Sequence, residues 1–187
     1  MIVTHGSAFT TPAASYSKVG YHGTSSLACA DIEAYGFLPN KVFSDDEHAQ
    51  ILRMARELGW DTGSYVQWLD MRSVSFAKDS HFAINHVTNA GNSGGQGLYN
   101  VRDALEVILS QGSEENRLVA RTFQEKLLKL RASHPVIYMV DLSGLAPRLV
   151  EGAGFNMYWD KTQALPNFSE IDPGRIIEKL VFLATPA

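Results

Sequence analysis

Apolar residues recur at Ile51, Leu52, Met54, Ala55 and Leu58 behind Ser44-Asp45-Asp46-Glu47, and Gly59 follows at the end. A Ser-x-x-Glu box, a 3.6-residue period and a glycine stop predict an amphipathic helix. Val101, Ala104, Leu105, Ile108 and Leu109 predict a second helix with Asn100 as its cap, and Val119, Phe123, Leu127 and Leu130 a third over roughly residues 114–132. Residues 18–22 read as a short strand that turns at Gly23-Thr24-Ser25-Ser26 into a capped helix, with Leu27, Ala30, Ile32 and Ala34 recurring until Gly36. Residues 72–77 set Val74 and Phe76 against Ser73 and Ser75, the alternation of a half-buried strand, and Asp79 or Ser80 then caps a helix running to about Asn89.

From His134 the period changes. Residues 135–142 and 177–183 read as strands, with one or two short strands and turns between 152 and 173. Helices concentrate in the first two thirds and strands in the last, which predicts an α+β fold rather than regular βαβ winding. Residues 1–17, rich in Ser, Thr, Ala and Pro, read as a flexible N-terminal arm before one domain over 18–187.

Composition narrows the function classes. A chain of 187 residues with 45% hydrophobic side chains can close one sizeable core without disulfides or a structural metal. Its net charge of −4 argues against a broad grip on nucleic acid or anionic lipid, so neither is an expected partner. Cys29 is the single cysteine and can form no internal bridge. With neither a spanning apolar run nor an ordinary signal peptide, the expected location is cytoplasmic, or secreted by another route.

Several candidate sites reduce to structure. Gly91 to Gly97 is glycine-rich, but it follows a helix and lacks the dinucleotide fingerprint. His81 and His86 stand five apart, off a shared helix face, so no metal site is expected. Cys29 has no base supplied beside it and reads as core. Trp60, Trp68 and Trp159 read as packing anchors, and His5-Gly6-Ser7 as a coincidental repeat of the later His-Gly corner.

The most informative segment is Tyr21-His22-Gly23-Thr24-Ser25-Ser26, where a histidine ends a strand beside a glycine that lets a ligand approach the backbone. Downstream come Ser73-Val74-Ser75-Phe76-Ala77, a helix carrying Ala83 and His86, and Glu170-Ile171-Asp172-Pro173 before the last strand. In this order the chain resembles the ADP-ribosyltransferase superfamily, in its histidine-tyrosine-glutamate-like branch. The resemblance implies a split, mixed or antiparallel β-sheet core with flanking helices, and NAD as the bound substrate. It implies that His22 bonds the adenosine-side ribose, that the Gly23 backbone reads the nicotinamide carboxamide, and that Thr24, Ser75, Phe76 and His86 line the cofactor pocket. Ser75 stands where that branch has a tyrosine. Glu170 or Gln163 falls near the position of the catalytic glutamate.

On this resemblance the expected activity is mono-ADP-ribosyl transfer from NAD to a macromolecular acceptor, with a protein as acceptor or partner. Two alternatives share the fold: a catalytically silent module that works through a protein partner, and an RNA 2′-phosphotransferase, which needs a basic cluster. Here Arg53, Arg56, Lys129 and Arg131 are scattered among acidic neighbours.

Overall fold

The computed structural model of the chain describes residues 1–37, 42–70, 74–89, 97–145, 149–151, 157–160 and 171–182. Among them the strands are β1 (Ile2–Gly6), β2 (Val19–Ser25), β3 (Val74–Ala77), β4 (Pro135–Asp141), β5 (Leu149–Glu151), β6 (Met157–Asp160) and β7 (Ile176–Phe182). The helices are α1 (Cys29–Tyr35), α2 (Asp45–Glu57), α3 (Gly63–Asp70), α4 (Ser80–Asn89), α5 (Gly97–Gln111) and α6 (Glu114–Arg131). The strands form one mixed sheet in the order β1-β7-β4-β2-β3-β6-β5, in which β1 runs parallel to β7 and every other pair is antiparallel. The architecture is α+β.

Central strand β4 is buried on both faces, which is why its sequence reads as a continuous apolar run rather than an alternation. Val136, Tyr138 and Val140 meet Cys29 and Ile32 of α1 on one face, together with Phe37, Val74 and Phe76. On the other face, Ile137 and Met139 meet Tyr21, Ala77 and Leu180, and Ala83 and Val87 of α4 cover them. Helices α2, α3, α5 and α6 close a separate core around Ile51, Met54, Tyr65, Leu105, Ile108 and Phe123. Each large aliphatic or aromatic side chain removed from water there supplies about 1.5–3 kcal/mol, so the helical half has a driving force of its own.

The capping box of α2 forms as expected: Ser44 accepts from the Glu47 amide and Glu47 returns to the Ser44 amide at 2.7 Å. Asp79 caps α4 by accepting the Phe82 amide at 2.7 Å. Gly59 takes the left-handed conformation, with φ of 75°, that a helix stop calls for.

Four expectations are corrected. β2 runs through the expected turn as far as Ser25, because β4 pairs with it along its whole length, and Ser25 makes no side-chain cap to the short 3-10 turn Ser26–Ala28. α5 begins at Gly97, so Asn100 lies inside the helix and is not its cap. α3 has no counterpart in the reading of the sequence, and β5 falls just ahead of residue 152. Residues 1–17 are not a loose arm: they supply the edge strand β1 and then cross the sheet. No helix among the described residues is long and apolar enough to cross a membrane.

Candidate functional site

The His22 segment sits where the sheet divides. β2 pairs with β4 through seven residue pairs, Val19 to Ser25, but meets β3 in one, Tyr21 with Ala77. β3 in turn pairs with β6 along its full length. At the junction the two strands approach closely because residue 20 is glycine: a Cβ there would lie 2.5 Å from Leu142 Cδ1 and 2.8 Å from Phe76 Cβ. Beyond Tyr21 no further β2–β3 pairing is found among the described residues, and this unpaired stretch between residues 22–25 of β2 and 74–76 of β3 is termed the notch.

His22 reaches across that notch. Its Nδ1 stands 2.9 Å from the carbonyl oxygen of Ser75. A carbonyl can only accept, so Nδ1 carries the proton, and in the neutral ring Nε2 is the acceptor. The half-buried ring is held by aromatic edges, with the Phe37 centroid at 5.0 Å and the Phe76 centroid at 5.6 Å. Phe37 arrives there because α1 ends at Gly36 with φ of 84°, which turns the chain back so that the Phe37 amide donates to the Ile171 carbonyl at 3.2 Å.

The other expected site residues distribute around this ring. Alternation along β2 puts Gly23 on the opposite face from the His22 ring, against Val87 and the Ala83 carbonyl of α4, where an added Cβ would collide with Val87 Cγ1. Thr24 is buried on the His22 face. Ser75 is half-buried and faces the α4 side of the sheet. Phe76 is fully buried and corrects its expected role: it backs the His22 and Phe37 rings and presents no surface to a cofactor. His86 lies on α4, its side chain outside what is described, and Gln163 and Glu170 lie outside the described residues.

The register adds two neighbours that were not expected at the site. Trp159 of β6 is paired in register with Ser75, and Asp160 with Val74. The apolar and aromatic run Met157-Tyr158-Trp159 is the sequence signal for that strand. Its pairing partner is a long-range property that no local pattern carries.

Beside the notch, register partner Tyr138 donates its hydroxyl to Glu33 Oε1 at 2.8 Å, and Lys179 Nζ binds the same oxygen at 2.6 Å. Burial pushes the Glu33 pKa up, but hydrogen bonds from Lys179 and Tyr138 and the Lys179 charge outweigh it, so the pKa is lowered. Burial, with Cys29 and Glu33 adding, raises that of Tyr138, which therefore stays a phenol. Glu33 is thus committed to an ion pair and is a structural carboxylate.

Two concavities lie elsewhere. One of about 670 Å³ is lined by Met1, Tyr16, Asp141, Asp172 and Arg175 among others, and Arg175 Nη1 there is occupied by the carbonyls of Asp141 and Ser143. The other, about 110 Å³, lies between α5 and α6 around Tyr99, Arg102 and Leu128. His22 and Ser75 line neither. Among the described residues no group of three or more His, Cys, Asp or Glu side chains is placed to hold a metal. Comparisons of the chain with known protein families, curated proteins and solved structures give no match.

Proposed function

We propose that the notch between β2 and β3 binds NAD and that the protein is a mono-ADP-ribosyltransferase-like enzyme. The observation that supports this most is the single Tyr21–Ala77 pairing, which divides the sheet beside a His-Gly-Thr segment and sets a histidine across the gap. The Ser75 carbonyl orients the imidazole across the gap, and a ribose contact is the role the sequence resemblance implies for His22. In the reaction the ribose C1′–N bond breaks and nicotinamide leaves with the electron pair. The oxocarbenium-like ribose is then attacked by the acceptor, whose proton passes to a carboxylate or to solvent. Glu170 and Asp160 are the candidates for that carboxylate, and Gln163 could hold a ribose hydroxyl but not a proton.

A second reading, a binding module without turnover, is favoured by the sequence between Trp159 and Ser169, where Asp160 is the only carboxylate. One experiment separates the two. Nicotinamide release from NAD is measured for the wild type, His22→Ala, Asp160→Asn, Glu170→Gln and Gln163→Ala. Transfer predicts release that falls about 100-fold or more in one carboxylate variant and about 10-fold in His22→Ala. NAD-induced thermal stabilisation without release establishes the module instead. Neither release nor stabilisation overturns the NAD reading.

A further inference from the structure

Glu178 of β7 is fully buried, and the groups that meet its carboxylate all come from the first 11 residues. Oε1 accepts from Thr4 Oγ1 at 2.5 Å and from the Thr10 amide and hydroxyl, both at 2.9 Å, and Oε2 accepts from the Thr11 amide at 2.8 Å. These four donors are neutral amides and hydroxyls. A buried carboxylate so supplied fixes the path of the segment that supplies it. That path has a definite end point: the Phe9 ring packs on Tyr21 at a centroid distance of 5.4 Å. Tyr21 is the residue whose pairing with Ala77 is the one junction of β2 and β3, and it immediately precedes His22.

We infer that residues 2–11 are a built-in strap, latched by Glu178, which positions the hinge of the notch through Phe9 and Tyr21. The parallel ladder of β1 with β7 holds residues 2–6. The hydrogen bonds from Thr10 and Thr11 to Glu178 carry that hold past the end of β1, and they deliver the Phe9 ring to the point where the sheet divides. Glu178 and Phe9 are positioning residues, distant in sequence from the ligand contacts proposed above. The consequence for NAD rests on that proposed function, whereas the consequence for the hinge does not.

Hydrogen exchange followed by mass spectrometry on the full chain tests the strap without any ligand. Phe9→Ala leaves the latch in place, so residues 2–6 should stay protected, while amides of 21–24 and 74–77 exchange roughly ten-fold faster or more. Phe9→Tyr keeps the ring and should restore them. Glu178→Gln should speed exchange at 10–11 and at 21–24 and leave α2, α5 and α6 at wild-type rates. Wild-type exchange at 21–24 in Phe9→Ala, or at 10–11 in Glu178→Gln, would overturn the inference. If the wild type turns over NAD, Phe9→Ala should raise KM with kcat little changed; if it binds no NAD, the proposed function fails and the exchange result still decides the strap.

Discussion

His22 and Ser75 are joined beside the single pairing of their strands: the Nδ1–H of one donates to the carbonyl of the other at 2.9 Å, one residue past Tyr21 on β2 and two past Ala77 on β3. The bond does two things at once. It closes the end of the notch nearest the junction, and it selects the imidazole tautomer that leaves Nε2 as an acceptor.

Gly23, the glycine singled out by the sequence resemblance, has a steric reason of its own. Val87 Cγ1 occupies the place of the missing Cβ. Gly23→Ala is therefore expected to destabilise the protein by about 1–3 kcal/mol, and Gly23→Ala with Val87→Ala to recover part of that loss. Urea denaturation of the single and double variants checks it, and strictly additive losses would count against the packing described.

The Glu33–Lys179–Tyr138 network makes a different demand. Glu33→Ala leaves the hydroxyl of a fully buried tyrosine and a largely buried ammonium without their shared acceptor, at an expected cost of roughly 2–4 kcal/mol. Glu33→Gln keeps an acceptor for Tyr138 and should cost less. Equal costs for the two, read from thermal or urea unfolding, would show that the carboxylate contributes as a charge alone.

Glu178 is expected to contribute to the acid limb of stability. Burial raises its pKa, yet the hydrogen bonds from Thr4, Thr10 and Thr11 together bring it from the ordinary 4.5 to about 2. A folded pKa below the unfolded one gives stability that is complete above about pH 5 and is lost as pH falls through 4.5 towards 2, to a total of roughly 3 kcal/mol. Glu33 and Glu47 are shifted in the same direction, so they contribute to the same acid limb. The measurement is the difference between wild type and Glu178→Gln: their stabilities should converge between pH 5 and 2, and parallel curves would contradict the assignment.

What could be read from the sequence was what local chemistry decides. Ser44 and Glu47 meet within one helical turn, and Val74 and Phe76 alternate with their neighbours, so α2 and β3 were legible. The strap was not, since Thr10 and Glu178 are 168 residues apart and nothing local distinguishes a held Ser/Thr-rich segment from a loose one. The end of β2 was misread for a related reason. Gly23-Thr24-Ser25 has turn composition, and long-range pairing with β4 overrides it. Of the candidate site, the sequence singled out His22 and Ser75, which the structure brings within hydrogen-bonding distance, whereas the pairing of Trp159 and Asp160 with β3 depends on register alone.

The most direct test is nitrogen-15 NMR of the His22 ring and the Gly23 amide during titration with NAD. The account predicts an Nδ1-protonated ring in the free protein, with Nε2 and the Gly23 amide shifting together and saturating as NAD is added. An Nε2-protonated ring, or signals from both groups that stay fixed at NAD concentrations in the millimolar range, would contradict it.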